Sequence, residues 1–484
     1  MLVSLYTVRV VLEVLGAEDY GIYNVVAGVV VMFSFLNTAM TESTQRFLNF
    51  FIGQSDIEQV RNIYSISFMI HILIAVLVII LAETIGLWFF YTWLNISLER
   101  QGVAFIVYQF SVALTVINIL LVPYRAVIIA YEKMYFFALS SIIEALLKLV
   151  VVFLLTIILL DKLIVYAFLV FIVGIITFLF HKVYCNRMFE TAHFRYCNDK
   201  KLFGELVTFS GWNVFSRVAI VSSSQGINIL INIFYGVIVN AAMGIATQVN
   251  TAIYTFVSNF QTAFRPQIIK SYAAKDYDYF IRLIFQTSKI SLYLLLFFVL
   301  PLYVNADFVL YLWLKNVPDY TVVFTRLMLI NSLEVALGGP FVASMQAIGD
   351  IKKYQIIISC FIFANLPLSL LFLFFGFSPV WVLIIKIGLN FLILIWRILF
   401  VGKKINFPFI SFLREVIIPI VIITAISSFV NVFIFYFFYD WSRLILSCII
   451  SSISTGSLVY FIGINAQERI LLKKLIAKKI YNKG

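Results

Sequence analysis

The stretch GVVVMFSFLNTAMTESTQRFLNF, residues 28–50, joins an almost wholly apolar run to a polar end that holds Glu42, Gln45 and Arg46. No Gly or Pro separates the two parts, so the pattern predicts one helix with an apolar body and a polar end. A second stretch, NFQTAFRPQ at residues 259–267, ends another apolar run in a similar way. Any account of this chain has to explain both polar ends.

The composition is that of a membrane protein. The 484 residues are 63% hydrophobic and only 12% charged, and 50 of them are Phe, proportions that a water-facing surface does not accommodate. A helix needs about 20 mainly apolar residues to cross a bilayer, and the apolar runs here are unbroken blocks without the alternation of membrane strands. We therefore expect an all-α integral membrane protein.

Apolar blocks between charged segments give fourteen candidate spans. Their approximate limits are residues 1–15, 23–45, 63–94, 103–130, 135–160, 163–186, 205–235, 237–264, 284–314, 321–348, 354–375, 379–401, 412–438 and 442–464. The third and ninth blocks are too long for one straight span, so each is expected to continue into an interfacial turn.

Basic residues in the loops predict the orientation of the chain. Alternate loops, together with the basic tail after the last span, carry 24 Lys and Arg on one side of the predicted membrane and 4 on the other. The side rich in Lys and Arg is the cytoplasmic one, so both termini are expected inside.

Other protein classes fit the sequence poorly. A net charge of +12 is placed in short loops rather than in a basic soluble domain, which argues against binding to nucleic acid. The four cysteines lie far apart without the spacing of metal ligands, so no metal site is expected.

The chain contains an internal repeat with an offset near 217 residues. Asn24 and Gly28 match Asn240 and Gly244, and Arg46 falls on Arg265. PYRAVIIAYEK at residues 123–133 matches PFVASMQAIGD at residues 340–350. Six spans per repeat is an even number, so we expect two lobes related by a pseudo-two-fold axis along the membrane normal. The expected organisation is an N-lobe at residues 1–186, a linker at 187–204, a C-lobe at 205–401, two extra helices at 402–464 and a basic cytoplasmic tail at 465–484.

Seven basic residues lie within predicted spans and are not explained by loops. They are Arg9, Arg125, Lys148, Arg217, Lys289, Arg326 and Lys386. A charge in mid-bilayer costs several kcal/mol, so each should face protein or water. Some have structural explanations: Arg9 with Glu13, Glu42 with Arg46, and Glu144 with Lys148 stand four residues apart on one helix face. Lys289 and Arg326 lie near span ends and could instead extend to the interface.

Arg217 is the basic residue with the strongest functional interpretation. It lies near the middle of SGWNVFSRVAIVSSSQGIN, residues 210–228, and its nearest acidic neighbour in sequence is Glu205. We expect it to line a polar cavity between the lobes, with Gln225 nearby. Because cations predominate in the spans, the expected cargo is anionic and hydroxylated, and Arg suits phosphate oxygens.

Matching prolines mark a possible hinge in each half. Pro123 and Pro340 lie at equivalent places in the fourth and tenth spans, where a proline frees a backbone carbonyl, and Gly338 and Gly339 precede the second of them. The alternative to a hinge is a static kink that packs well.

Residues 9–50 resemble the start of Wzx-type oligosaccharide flippases of the multidrug/oligosaccharidyl-lipid/polysaccharide (MOP) exporter superfamily. The resemblance is most specific in LGAEDYGIYNVV and in FLNTAM followed by QRF. It implies a bacterial inner-membrane protein that moves polyprenyl-diphosphate-linked oligosaccharide to the outer leaflet for O-antigen of lipopolysaccharide, capsule or related polymers. Membrane lipids, a glycan polymerase and glycosyltransferases are the further partners it implies. Family members usually have some tens of residues before the position of Met1, so the resemblance also predicts an incomplete first span.

The resemblance implies a cationic site for the diphosphate. By position it assigns substrate binding to Arg9, Arg46, Arg217 and Arg265, and Arg46 and Arg265 would capture the headgroup at the cytoplasmic mouth. The alternative is that Arg46 and Arg265 are interface anchors that only fix the topology. Secondary candidates are Arg125, Lys148, Lys289, Gln45 and Gln225.

Other functions remain open at this stage. One is a drug or cation antiporter of the same fold, whose cavity should be acidic. Another is a membrane polymerase or glycosyltransferase, for which the DxD-like Asp276 and Asp278 are the only hint. A third is a non-transporting assembly partner of glycosyltransferases. No ATP-binding motif is present, so no cofactor is expected and a proton or sodium gradient is a candidate drive, with Glu13, Glu42 and Glu144 as possible ion carriers.

Overall fold

The protein is an all-helical, multi-pass membrane protein. A computed structural model describes residues 10–11, 14–16, 19, 22–23, 34–93, 98–158, 160–465 and 468–469. Within these ranges the regular secondary structure consists of helices alone. The expected all-α integral membrane fold is confirmed.

The chain divides into two compact units, Met1–Arg217 and Val218–Gly484. The first helices are α1 Ser34–Gly53, α2 Ile57–Leu81, α3 Leu87–Trp93, α4 Leu98–Ala130, α5 Met134–Ile157 and α6 Lys162–Met188. A long run, α7 Lys200–Ala273, crosses the unit boundary. The later helices are α8 Tyr277–Val304, α9 Ala306–Leu314, α10 Thr321–Ile348, α11 Ile351–Phe374, α12 Val380–Ile405, α13 Phe409–Phe412, α14 Ile418–Phe437 and α15 Asp440–Leu458.

Eleven helical segments are long and apolar enough to cross a membrane. They correspond one for one to the predicted third to seventh and ninth to fourteenth spans. The structure describes only residues 10–11 and 14–15 of the first predicted span and residues 23 and 34–45 of the second, and the eighth is the helical part of α7 that follows Gly236. Gly236 breaks the long run because its φ of 78° and ψ of −176° are not helical. The boundary between the seventh and eighth predicted spans falls at this residue.

The two long blocks differ from each other. In the ninth block, helix α8 ends at Val304. Asn305 (φ −99°, ψ 17°) interrupts the helix where the block was expected to turn, and the short helix α9 follows. The third block instead continues from α2 through a π-helical turn, Ala82–Gly86, into α3. Tyr108 of α4 donates a hydrogen bond to the carbonyl of Ala82 (2.7 Å), which supports this wider turn.

The internal repeat is visible in matching turns. Asp56 and Asp276 begin α2 and α8, and each carboxylate accepts a hydrogen bond at 3.1 Å from the backbone N–H three residues later. The residues before them, Ser55 and Lys275, both have positive φ (59° and 60°). Asp276 is thus a helix cap, which explains its presence without glycosyltransferase chemistry.

A second pair of turns also matches, at the sequence offset of 217. Glu132 follows α4 with φ 59° and Gly349 follows α10 with φ 84°. In each case the next helix begins with a backbone hydrogen bond, from Met134 to the carbonyl of Glu132 (2.8 Å) and from Ile351 to that of Gly349 (2.9 Å). The two chain halves therefore share local geometry as well as sequence.

In each unit an arginine side chain connects helix ends through ion pairs or hydrogen bonds. In the first unit Arg100 forms ion pairs with Asp19 and Asp161, so one guanidinium joins three segments. In the second unit Arg443 is 7% exposed and pairs with Asp307 (3.0 Å) while its Nε donates to Asn305 (3.1 Å). These contacts are made by a fork of donors that Lys does not have.

The two last spans are joined by small polar residues. Ser451 donates to the Asn431 side chain (2.6 Å), and Thr455 donates to Ser427 (3.3 Å). All four residues are buried between α14 and α15. Such contacts are a common way for helices to associate in lipid, where apolar burial contributes little.

Candidate functional site

The polar end of α1 lies against the first part of α7, within the first unit. Glu42 forms an ion pair with Arg217, and Asn213 donates a hydrogen bond from its amide nitrogen to the hydroxyl of Ser43 (3.0 Å). The Glu42 side chain is 16% exposed and that of Arg217 is 35% exposed, so the pair is partly shielded from solvent. Charge-assisted contacts of this kind are stronger than contacts between neutral groups.

Arg46 lies over three aromatic rings at the same end of α1. The centre of its guanidinium is 4.5 Å from the ring centroid of Phe47, 4.9 Å from that of Phe50 and 5.3 Å from that of Phe209. Phe47 and Phe209 also contact each other edge to face, with centroids 5.6 Å apart. The rings hold the planar cation in one place by cation–π attraction.

A chain of hydrogen bonds continues from α1 to α2. Thr44 and Ser67 have hydroxyl oxygens 2.7 Å apart, and the Nδ1–H of His71 donates to the carbonyl of Ser67 (2.6 Å). All three side chains are buried. Successive residues of α1 therefore make polar contacts on different sides, which explains why this helix end has hydroxyls and an amide as well as charges.

We call Glu42, Ser43, Arg46, Phe209, Asn213 and Arg217 the α1–α7 cluster. The prediction singled out Glu42, Arg46 and Arg217 but missed Ser43, Phe209 and Asn213. A signal was present in the sequence, because Phe209, Asn213 and Arg217 recur every four residues and so lie on one face of α7. The Glu42–Arg217 pair itself joins residues 175 positions apart and has no local signal.

The other principal candidates lie elsewhere. Arg9 and Glu13 are outside the described residues. Arg265 is half-buried in the last part of α7. Asp56 and Asp276 occupy equivalent positions in the matching turns. Arg46 lies ten residues before Asp56, whereas Arg265 lies eleven residues before Asp276. One residue rotates a helix by about 100°, so the two arginines need not occupy equivalent faces.

The two glutamines differ in environment. Gln45 is 2% exposed, and its amide nitrogen has no hydrogen-bond partner among the described residues. Gln225 is exposed and accepts a hydrogen bond from Asn228 (3.1 Å). Among the described residues, neither glutamine has a hydrogen bond to Arg217.

Arg125, Glu144 and Lys148 form one network in the first unit. Glu144 pairs with Lys148 on the same helix (2.7 Å), as the spacing predicted, and also approaches Arg125 of α4 (3.5 Å). Two cations thus share one carboxylate. An ion-coupling role for Glu144 would require this network to open.

Lys289 is buried in the second unit. Its side chain is 3% exposed and its ammonium lies 2.9 and 3.0 Å from the two carboxylate oxygens of Glu468, just beyond the last span. The same carboxylate accepts from the backbone N–H of Asn465 (2.8 Å). Lys289 therefore has an acidic partner within the protein, which accounts for this buried cation.

Replacement of Glu468 by Gln is expected to destabilise the protein by about 3 kcal/mol, because it leaves a buried cation without a counter-charge. The double variant Lys289→Met/Glu468→Leu should recover most of this loss, since an apolar pair of similar size replaces the ion pair. Thermal unfolding in detergent measures both. Transport by the double variant should remain normal; stability restored without transport would instead assign Lys289 to the substrate.

The predicted hinge residues have close neighbours. Both Pro123 and Pro340 lie inside continuous helices. A side chain at Gly339 would collide with the amide of Gln261, which donates to the carbonyl of Ala336 (2.7 Å) and to Ser291 (3.0 Å). Space for Gln261 is thus a second reason for a glycine here, beside the predicted hinge.

Gly339→Ala is expected to destabilise the protein by about 1–3 kcal/mol, because the displaced Gln261 amide gives up two hydrogen bonds. Gly388→Ala is the matched control: it lies in α12, and its added methyl would meet nothing within 4 Å. That control should be neutral or stabilising by up to about 1 kcal/mol. Unchanged melting of Gly339→Ala together with lost transport would favour the hinge.

Comparison with known proteins shows the family. The family described as "Polysaccharide biosynthesis protein" matches residues 1–274, more than half of the chain. A search of curated proteins found no significant match.

Solved structures of transporters share the fold. A mutant of MATE has a TM-score of 0.72 at 14% identity and aligns with 83% of this chain and 93% of its own. An outward-facing multidrug-resistance MATE transporter of the MOP superfamily has a TM-score of 0.72 at 15% identity, with 84% and 92% covered. A MOP-superfamily transporter from Pyrococcus furiosus, reported to have a binding pocket of reversed polarity, has a TM-score of 0.69 at 15% identity, with 84% and 93% covered. At these identities the likeness shows the fold alone. The chain therefore belongs to the polysaccharide biosynthesis protein family and has the fold of the membrane transporters of the MOP superfamily.

Proposed function

We propose that the protein is a flippase that moves polyprenyl-diphosphate-linked oligosaccharide from the inner to the outer leaflet by alternating access. The family supports a product of polysaccharide synthesis as the proposed cargo, and the fold is that of membrane transporters. The observation that carries the proposal is the α1–α7 cluster, which brings two arginines, an asparagine amide and a serine hydroxyl to the contact between the polar end of α1 and α7.

The cluster suits a diphosphate for chemical reasons. Arg presents a planar fork of donors that matches phosphate oxygens, and it stays charged when partly desolvated. The rings around Arg46 fix one such fork in place. Arg217 is held by Glu42, and a diphosphate carries more negative charge than that carboxylate, so it can displace Glu42 and take both forks.

The proposed path begins on the cytoplasmic side of a bacterial inner membrane, the side on which the loop charges predict both termini. The charged headgroup would enter at the α1–α7 cluster while the polyprenyl tail stays in lipid. The polyprenyl-linked oligosaccharide, membrane lipids and, in the same pathway, a glycan polymerase and glycosyltransferases are the proposed partners. A proton or sodium gradient is the proposed drive, with Glu42 as one carrier because the cargo would release it from Arg217.

Drug or cation antiport is the second candidate function. It is supported by the MATE transporters that share the fold, although their identity of 14–15% limits that support to architecture. An antiporter for organic cations needs a carboxylate facing its cargo. Here Glu42 and Glu144 are each engaged with cations, and Glu334 lines a cavity that also holds two cations, Lys386 and Arg397, which favours an anionic cargo instead.

Flipping of purified, labelled lipid-linked oligosaccharide in reconstituted vesicles tests the proposal. Protein-dependent loss of label from one leaflet is the expected result, and imposed proton or sodium gradients identify the drive. Organic cations are offered to the same vesicles. Uptake of cations without glycan movement would establish the antiporter, and movement of neither cargo would refute both transport functions.

A further inference from the structure

The second unit contains a cavity that the α1–α7 cluster does not involve. It has a volume of about 300 Å³ and lies among α7, α10, α11 and α12. This is near the lower end of the range for ligand pockets, about 300–1,000 Å³, so it suits a single sugar-sized group. Its polar lining consists of Ser223, Ser224, Glu334, Asn365, Lys386, Asn390 and Arg397.

Three charged side chains line this cavity, which we call the C-unit cavity. They are Glu334, Lys386 and Arg397. Across the described ranges no ion pair is found for any of them, although opposite charges share one small space. One carboxylate oxygen of Glu334 and the Nε of Arg397 are buried without a hydrogen-bond partner in the described part of the chain. Buried polar atoms are normally satisfied, so these point to a ligand or water in the cavity.

A glycine sets the position of one of the cations. A Cβ added to Gly338 of α10 would lie 2.7 Å from the Nη1 of Arg397. The absence of a side chain at residue 338 thus lets the guanidinium lie against α10 at the wall of the cavity. This close approach is independent of the unsatisfied atoms and shows that the position of the Arg397 guanidinium depends on the glycine at residue 338.

Charge and shape restrict the ligand. With all three groups ionised the cavity carries +2 from Lys386 and Arg397 and −1 from Glu334, so a metal cation would be repelled. A diphosphate would bring at least two negative charges close to Glu334. A single carboxylate balances the net charge of +1, and hydroxyl groups on the same molecule can donate to Glu334.

The remaining lining fits a sugar ring. Asn365 and Asn390 offer amides and Ser223 and Ser224 offer hydroxyls, which pair with ring hydroxyls. More than half of the lining is apolar, including Phe361, and suits the C–H faces of a ring.

We propose that the C-unit cavity binds a hydroxylated organic carboxylate, the chemistry of an acidic sugar, with the carboxylate at Lys386 and Arg397 and hydroxyls at Glu334 and the asparagines. The source is either an acidic sugar of the lipid-linked cargo or a free sugar acid. In the first case the inference rests on the proposed function, and it then defines a class of glycan that the transporter favours.

Binding is tested with the full-length protein in detergent, using galacturonate and, as the neutral probe, galactose. Galacturonate should bind at least about tenfold more tightly, the usual worth of a hydrogen bond to a charged group. Lys386→Met should remove that preference, and Gly338→Ala, which displaces the Arg397 guanidinium, should weaken it several-fold. Lys403→Gln is the control, because Lys403 is exposed on the same helix α12.

The source is tested in vesicles with lipid-linked oligosaccharides that end in galacturonate or in galactose. If Lys386→Met slows only the acidic cargo, the ligand is part of the cargo. If it changes galacturonate binding and neither flipping rate, the ligand is a free sugar acid. Equal binding of galacturonate and galactose, or galacturonate binding unchanged by both Lys386→Met and Gly338→Ala, would overturn the proposal. If the protein binds galacturonate preferentially but flips no glycan, the proposed function is rejected and the proposed ligand of the C-unit cavity is supported.

Discussion

Arg217→Gln should reduce the initial rate of glycan flipping about 100-fold at equal protein level. The amide keeps some hydrogen bonding but removes the charge, and a charge-assisted hydrogen bond is worth about 1.5–3 kcal/mol, or roughly 10- to 100-fold. The loss is expected near the upper limit because the substitution removes the planar fork of donors together with the charge. Flipping in reconstituted vesicles, normalised to folded protein, is the measurement.

Two further variants separate capture of the cargo from structural support. Glu42→Gln frees the guanidinium of Arg217 and should tighten binding of the diphosphate headgroup, even if later steps slow. Arg187→Gln makes the same chemical change at an exposed position near the end of α6 and should leave flipping unchanged. If Arg217→Gln and Glu42→Gln both lower the melting temperature while the flipping rate per folded molecule stays normal, the pair is only structural.

Most of the fold could be predicted because a single physical rule decides it. Backbone groups cannot remain unpaired in hydrocarbon, so each apolar block of sufficient length has to be a helix. From sequence alone, the apolar blocks located the break at Gly236 and showed that the ninth block is too long for one straight span, although they did not predict the separate helix α9. They also did not predict that the third block would continue through the π-helical turn, which depends on Tyr108 of a neighbouring helix.

Partners in the site could not be predicted in the same way. Hydropathy shows that a charge lies within a span, but it does not show which distant residue neutralises it. The nearest acidic residue to Arg217 in sequence is Glu205, but the structure pairs Arg217 with Glu42, and Lys289 is paired with Glu468 from beyond the last span. In both cases the contact comes from tertiary packing, whereas the Glu144–Lys148 pair was predicted because it lies on one helix.

The internal repeat predicted which residues correspond in the two halves but not what those residues do. It aligned Pro123 with Pro340 and the turn at Glu132 with the turn at Gly349. It could not show that Gly338 and Gly339 make room for Arg397 and Gln261, since the repeat has no glycines at the matching positions of α4. These glycines belong to the second unit alone, as does the C-unit cavity.

Loss of Arg46 should slow glycan flipping as much as loss of Arg217. The variants Arg46→Ala and Arg46→Lys should differ from each other in the size of that effect. Arg46→Ala removes both the charge and the stacked plane, and it should reduce flipping about 100-fold, the upper limit for a charge-assisted contact. Arg46→Lys keeps the charge but has neither the planar fork nor the same stacking, so an intermediate loss of about tenfold is expected. Flipping rates and binding of the diphosphate headgroup, measured on the same preparations, should fall together.

The aromatic rings give this prediction its sharpest control. Phe209→Leu leaves Arg46 in place but removes one of its three rings, and a cation–π contact of about 0.5–1 kcal/mol corresponds to a loss of roughly two- to fivefold. That effect on flipping should disappear in the Arg46→Ala background if the ring contributes to cargo binding through the guanidinium rather than through its contact with Phe47. If Phe209→Leu instead lowers the rate equally in both backgrounds, the ring supports the packing of α1 on α7 and the stacked arginine is not the group that binds the diphosphate.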